Sequence, residues 1–115
     1  MKLLIAGSRS IKEFDLAPCI PEKVTEIISG GAEGIDTLAE QYADKHKLSK
    51  HIIRPEYNKY GNAAPILRNR VMVELCDEAL IIWDGKSRGT SSTIKYAKDQ
   101  EKKATVINIS DLQRM

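Results

Sequence analysis

The sequence predicts an α/β fold with a parallel sheet of about five strands in the order 3-2-1-4-5 and helices on both faces. Five short apolar runs alternate with helical or turn-rich segments along the chain. The runs that we number first, second and fourth end in glycine-bearing loops. In this strand order those three loops meet where the order reverses, which is where open α/β sheets bind ligands.

The strands and helices follow from apolar spacing and from the positions of proline and glycine. Strands are predicted at 2–6, 24–28, 51–54, 79–83 and 105–109. Helices are predicted from 35 to about 47, from 63 to about 76 and from about 90 to 102. Pro18 and Pro21 limit the first crossover to one short turn around 13–17, and 55–62 is predicted to be a polar loop.

Length and composition indicate one domain, 1–110, followed by a short tail, 111–115, in a chain of 115 residues. A net charge of +2 is too small to indicate a general nucleic-acid binder, so any cationic site must be local. Cys19 and Cys76 form no CxxC pair, and we find no signal peptide or membrane-length apolar run, so we expect reduced thiols in the cytoplasm. His46 and His51 lack partners at ligand spacing, and we expect no metal site.

The loop after the second strand, Ser-Gly-Gly-Ala-Glu-Gly-Ile-Asp at 29–36, is the strongest candidate site. Gly30, Gly31 and Gly34 allow positive φ and leave no Cβ between the main chain and a ligand, so amides can approach a phosphate or ribose. Asp36 either caps the following helix or offers its carboxylate to a ribose hydroxyl. A tight turn with a capping Asp is the simpler alternative.

Two further loops carry cations or hydroxyls at strand ends. Arg9 in Gly7-Ser8-Arg9 can pair bidentately with a phosphate. The loop at 84–90 precedes a helix whose first turn is rich in hydroxyl groups, which suits phosphate binding at exposed N–H groups. We expect Lys86 and Arg88 to add positive charge to that loop.

The predicted helix at 63–76 is expected to present an apolar stripe to the core. That stripe consists of Leu67, Val71 and Leu75, with Ile66 and Met72 alongside. It places Arg68, Asn69 and Arg70 on the helix sides, where Arg68 and Asn69 suit a phosphate or a base edge. Tyr57 and Tyr60 in the preceding loop could stack on a base or pack against neighbouring helices.

Four motifs in order, GSR at 7–9, SGGAEGID at 29–36, PEYNKYGNAAPILRN at 55–69 and SRGTSST at 87–93, resemble the SLOG superfamily and within it the YspA-like group. The resemblance covers about 2–109 and implies a compact Rossmann-like domain that binds a nucleotide or nucleotide-derived molecule, such as an ADP-ribose type signal. No cofactor is expected beyond such a ligand, and a homodimer or larger homo-oligomer is expected by analogy. The ligand-binding residues expected from loops and motifs together are Gly7, Ser8, Arg9, Ser29, Gly30, Gly31, Ala32, Gly34, Asp36, Arg68, Asn69, Asp84, Gly85, Lys86, Arg88, Gly89, Thr90, Ser91 and Ser92.

Two more distant resemblances imply alternative functions. The SGGAEGID and Arg68-Asn69-Arg70 elements are similar to DprA, which implies single-stranded DNA binding. The Gly89-Thr90 loop is similar to the GGxGTxxE motif of the LOG phosphoribohydrolases, but Thr93 stands where their catalytic glutamate is expected. Glu33 or Asp84 could supply a carboxylate from another loop, so hydrolysis of a nucleoside monophosphate stays an alternative. The favoured hypothesis is binding without turnover, as sensor, carrier or sequestering protein.

Overall fold

The computed structural model describes residues 1–112 and confirms the α/β fold. All five strands are parallel and lie in the order β3-β2-β1-β4-β5, as predicted. The strands are β1 (Lys2–Gly7), β2 (Glu26–Ser29), β3 (Ser49–Ile52), β4 (Glu78–Trp83) and β5 (Lys103–Asn108).

Five α-helices connect or follow these strands: α1 (Ile35–Lys45), α2 (Tyr57–Tyr60), α3 (Ala64–Leu75), α4 (Arg88–Asp99) and α5 (Ile109–Leu112). Short 3₁₀ turns cover Ala17–Cys19 and Gly61–Ala63. No helix within residues 1–112 is long and apolar enough to cross a lipid bilayer.

Several predicted boundaries were wrong. The turn expected at 13–17 lies at Ala17–Cys19, the polar loop at 55–62 contains α2, and the tail includes α5 up to Leu112, with 113–115 outside the described residues. β3 begins earlier than its apolar residues suggest, because this edge strand is fixed by pairing of Ser49 with Glu26 and of Ile52 with Ser29. Pairing with a neighbour, rather than local hydrophobicity, sets where an edge strand begins and ends.

β1 is the central strand, and alternate residues on it belong to two separate cores. Leu3 and Ile5 pack in the core that α1 covers, whereas Leu4 and Ala6 pack in the core under α3 and α4. Both cores are apolar because a parallel strand that is covered on both faces can leave neither side in water. Because β2, β1 and β4 are neighbouring parallel strands, their carboxyl ends lie together at one rim of the sheet.

The predicted apolar stripe of α3 was wrong. Val71 and Leu75 are 43% and 45% exposed, whereas Arg68 is only 9% exposed; Met72, at 2%, is buried as predicted. The helix is rotated so that Arg68 points inward, where carbonyl oxygens accept its hydrogen bonds. Arg68 therefore takes the inner face of α3 in place of the predicted apolar stripe, because its guanidinium finds hydrogen-bond acceptors there.

Lys102 closes the carboxyl end of α3. Its Nζ donates to Cys76 O at 2.7 Å and to Glu74 O at 3.4 Å. These carbonyls have no partner within their own helix, and a cation there also complements the helix dipole. Lys102 therefore complements the end of α3, while Lys98 lies in the last turn of α4 itself.

Candidate functional site

The loops after β1, β2 and β4 meet at one rim of the sheet and line a cleft of about 370 Å³. We call it the hydroxyl cleft, because Ser10, Ser87, Thr90 and Thr93 contribute to its wall. Two carboxylates, Asp36 and Asp84, also line it. The predicted convergence of three distant loops is therefore present in the fold.

A second cleft of about 540 Å³ adjoins the first. We call it the arginine cleft, because Arg9, Arg54 and Arg68 line it together with Tyr57 and the glycine loop after β2. Arg9, Ala32 and Arg68 belong to both walls, so the two clefts are continuous along this rim.

The glycine loop after β2 packs tightly against the loop after β1. Gly34 has a φ of +74°, and a Cβ there would lie 2.6 Å from Ser8 O and 2.7 Å from Arg9 O. Only glycine allows this approach, because the colliding atoms are backbone carbonyls that cannot move aside. The loops after β1 and β2 are thus fixed relative to each other.

One of the two expectations for Asp36, that it is the N-cap of α1, was wrong. Gly34 is the N-cap, and Asp36 lies inside the first turn, where its Oδ2 accepts the N–H of Ala32 at 3.2 Å. Burial raises the pKa of this carboxyl above its ordinary value, while the Ala32 N–H and Arg68 oppose the rise. The carboxylate therefore stabilises the glycine loop from within and also lines the hydroxyl cleft.

Arg68 ties the glycine loop to the end of β3. Its Nη1 donates to Gly30 O at 2.6 Å and to Ile53 O at 3.4 Å, and its Nε donates to Asn69 Oδ1 at 2.8 Å. Burial lowers the pKa of the guanidinium, and Asp36 opposes that effect. The sequence placed Arg68 on a solvated helix side, whereas three of its donor contacts are made within the protein.

In the loop after β4, the Asp84 side chain accepts hydrogen bonds from the backbone of the loop itself. Asp84 Oδ1 accepts the N–H groups of Lys86 and Ser87, both at 2.8 Å, and its Oδ2 accepts the Ser10 hydroxyl at 2.8 Å. These hydrogen bonds lower the pKa of Asp84 to about 2, so it is ionised at neutral pH. The amides that the sequence assigned to a phosphate are partly occupied by this carboxylate.

The hydroxyls that follow are also engaged. Ser87 caps α4 by accepting the Thr90 N–H at 3.4 Å and the Thr90 hydroxyl at 3.1 Å. Thr93 Oγ1 donates to Gly89 O at 3.0 Å, so its side chain bonds back to its own helix. Thr93 lies in the wall of the hydroxyl cleft, at the position that the LOG resemblance assigns to a glutamate.

The structure brings many, but not all, of the predicted site residues together. Those that line one or both clefts are Gly7, Arg9, Gly30, Gly31, Ala32, Asp36, Tyr57, Arg68, Asn69, Asp84, Gly89 and Thr90. Those that line neither are Ser8, Ser29, Gly34, Gly85, Lys86, Arg88, Ser91 and Ser92.

The residues outside the clefts have other surroundings. Ser8 and Ser29 are buried, with side chains bonded within the loops, and Gly85 packs against Asn108 and Ser110. Lys86, Arg88, Ser91 and Ser92 are exposed. Tyr60 lines a separate groove beside α3 and is not placed to stack in either cleft.

Sequence reasoning missed Arg54. It follows β3, lies in the arginine cleft and donates from Nη1 to Gly31 O at 3.3 Å. A signal was present, since Arg54 follows a strand at its carboxyl end as Arg9 does. The predicted third strand, 51–54, included Arg54, and no glycine marks the loop that follows it.

We searched for known relatives of this chain by sequence and by structure, and no family model, curated protein or solved structure matches it.

Proposed function

We propose that this domain binds a nucleotide or a nucleotide-derived small molecule at the rim where β1, β2 and β4 end. The observation that carries the proposal is the convergence of loops far apart in sequence on two adjoining clefts that share three wall residues. Their volumes fall within the range typical of small-molecule sites, roughly 300–1,000 Å³. Membership of the SLOG superfamily, which the four motifs suggest, is part of the same proposal.

The wall chemistry supports this ligand class. Arginines suit phosphate, hydroxyls and carboxylates suit ribose, and the ring of Tyr57 offers one face on which a base could stack. A ligand with all three parts, such as an ADP-ribose type molecule, would use both clefts. Arginines, hydroxyl groups or a tyrosine alone could serve only to stabilise the fold. It is their position side by side that favours a nucleotide as the ligand.

The side chains that line the clefts favour binding of the ligand without its hydrolysis. Thr93 has no carboxylate to stabilise an oxocarbenium-like transition state. Two carboxylates from other loops are the alternatives. Glu33 lines the arginine cleft and pairs with Lys12 at 3.2 Å. Asp84 is bonded to two amides and to Ser10. Its low pKa of about 2 leaves it without a proton to donate to a leaving base at neutral pH. We therefore propose a sensor, carrier or sequestering protein.

The direct test is mass spectrometry of small molecules released from the purified protein on denaturation, followed by thermal unfolding with a nucleotide panel. A ligand at 100 times its Kd should stabilise the fold by about 2.7 kcal/mol. Absence of stabilisation with every nucleotide, together with no released ligand, contradicts the proposal. Release of free base from AMP during long incubation would show an enzyme instead.

Self-association is a second part of the proposal, supported by the outer face of α3. Val71 and Leu75, one turn apart on α3, are large apolar residues that stay 43% and 45% exposed. Arg70 and Glu74, one turn apart on this helix, carry opposite charges. In an antiparallel pair of α3 helices related by a two-fold axis, Arg70 of one copy would meet Glu74 of the other.

Sedimentation equilibrium tests this with the Val71→Glu variant. We expect a dimer for the native chain and a monomer for the variant, because a charge would be buried at the centre of the interface. Lys95→Glu, an exposed change on α4, should leave the dimer intact. A native chain that is monomeric at high micromolar concentration contradicts this part.

A further inference from the structure

We infer that the arginine cleft, and not the glycine-threonine loop after β4, binds the anionic group of the ligand, with Arg54 as a principal anion-binding residue. The neutral, hydroxyl-rich part of the ligand then occupies the hydroxyl cleft. This inference rests on the proposed function and chooses among the loops at 7–9, 29–36 and 84–90, each of which the sequence offers for a phosphate. It names the ligand class more closely: a molecule with a phosphate at one end and a ribose or similar polyol at the other.

The charges of the two walls differ. Three arginines and one carboxylate, that of Glu33, line the arginine cleft. Two arginines and two carboxylates, those of Asp36 and Asp84, line the hydroxyl cleft. Glu33 already pairs with Lys12 at 3.2 Å, so it opposes an incoming anion only weakly. A phosphate would meet a positive wall in the arginine cleft and the ionised Asp84 in the hydroxyl cleft.

Arg9 and Arg54 are the cations that an anion could use. Among residues 1–112 neither is within 4 Å of a carboxylate oxygen. Arg54 uses one donor for Gly31 O, and a guanidinium has five N–H donors in all. By contrast, Arg68 is buried and occupied by Gly30, Ile53 and Asn69, so it positions the loop.

The glycine loop is shaped to receive Arg54. Gly31 has a φ of +71°, and a Cβ there would lie 2.7 Å from Arg54 Nη1 and 2.9 Å from Ile52 Cγ2. The absent side chain therefore leaves room for the guanidinium to lie against the main chain. Arg54 is exposed, but its hydrogen bond to Gly31 O anchors the guanidinium at the cleft wall, which lowers the entropy lost when it binds an anion.

The loop after β4 is less able to take a phosphate. Asp84 Oδ1 occupies the N–H groups of Lys86 and Ser87, and Ser87 Oγ occupies that of Thr90. An anion that used the N–H groups of Lys86 and Ser87 would have to displace the Asp84 carboxylate, which three donors hold. The side chains of Lys86 and Arg88 are exposed and line neither cleft.

Titration with inorganic pyrophosphate, followed by ¹H–¹⁵N NMR of the full chain, tests the placement without knowledge of the base. We expect shifts at the amides of 30–34 and at the Arg54 side-chain Nε–H, and much smaller shifts at 86–92. Arg54→Gln should weaken pyrophosphate binding at least about tenfold, because a charge-assisted bidentate contact is lost. Lys98→Gln removes the same charge from the far end of α4 and should change nothing.

Shifts centred on 86–92, or a loss of binding with Arg88→Gln but not with Arg54→Gln, overturn the inference. Absence of any pyrophosphate shift up to tens of millimolar also overturns it. Arg54→Lys should recover only part of the affinity, since lysine keeps the charge but not the planar fork.

A second measurement separates this inference from the proposed function. Each nucleoside 5′-monophosphate that stabilises the native chain is compared with its nucleoside. Arg54→Gln should reduce affinity for the nucleotide at least about tenfold and leave that for the nucleoside unchanged. If nucleotides bind and Arg54→Gln has no effect, the inference fails and the proposed function stands. If no nucleotide binds, both fail.

Discussion

The two loops at this rim, 29–36 after β2 and 84–90 after β4, both carry glycines and lead from a strand into a helix, but they differ in backbone packing and in the charges beside them. The first is shaped by close backbone contact, with Gly34 against Ser8 O and Arg9 O. It also has arginines on its open side. The second is organised by an internal carboxylate, Asp84, which accepts two of its N–H groups.

The comparison shows that glycine in a strand-to-helix loop does not by itself make an anion site. Both loops have N–H groups that are already engaged within the protein, so the charges that line each cleft are what distinguish them. Gly89 in the second loop shows the difference in packing from Gly34: nothing lies within 4 Å of where its Cβ would be, so no close backbone contact requires glycine there. Four substitutions test the contrast, from the largest expected effect to the smallest.

Gly34→Ala should be the most destabilising, by roughly 3 kcal/mol or more, because positive φ and a backbone collision add. Gly61→Ala is the matched control, since Gly61 also has positive φ but open space around it. That variant should lose only about 1 kcal/mol. Urea unfolding measures both, and equal losses would mean that the close approach to Ser8 and Arg9 contributes little.

Arg68→Met keeps the aliphatic length and removes the donors that hold Gly30 O and Ile53 O. We expect a loss of about 2–3 kcal/mol in the free energy of unfolding, because buried carbonyls are left unpaired. Arg70→Met on the same helix removes only an exposed cation 5.4 Å from the Tyr96 ring and should cost under about 1 kcal/mol. Similar losses for both variants would contradict the role assigned to Arg68.

Asp84→Asn should lower the free energy of unfolding at pH 7 by about 1 kcal/mol, a value kept small because the group is partly exposed and screened. The pKa of Asp84 is about 2 in the fold, below its ordinary value of 3.8. Its contribution is therefore fully present above about pH 4 and lost as the pH falls towards 2. Urea unfolding of both chains should show the difference shrinking over that interval, and a constant difference would contradict it.

Gly89→Ala should raise the free energy of unfolding by about 0.5 kcal/mol, because alanine loses less backbone entropy and meets no neighbour. The effect has the opposite sign to that of Gly34→Ala, although both glycines belong to conspicuous loops. Thermal unfolding monitored by circular dichroism would detect it. Destabilisation by more than about 1 kcal/mol would show that the second loop is as tightly packed as the first.

The strand order and the meeting of three loops were predictable because apolar runs, glycines and prolines act locally and the crossover rules are nearly invariant. Several residues of the hydroxyl cleft followed from this, including Gly7, Asp36 and Thr90. The orientation of α3 was not predictable. Leu67, Val71 and Leu75 form a regular stripe, but Gly30 O and Ile53 O, distant in sequence, drew Arg68 inward instead.

Arg54 illustrates a second limit. Its position beside Gly31 depends on β3 lying next to β2, so its place in the arginine cleft appears only when the sheet is assembled. Likewise, the sequence shows hydroxyls and amides after β4 but not that Asp84 turns back to accept two of those amides.

The sequence by itself determined which segments are strands, their parallel order and the rim at which the loops gather. These depend on short-range preferences and on the hydrophobic pattern of each segment. Only the tertiary structure decided which donors stay free and which charges face each cleft. Hydrogen bonds and ion pairs join residues far apart in the chain, and each one formed inside the protein removes a group that a ligand could have used.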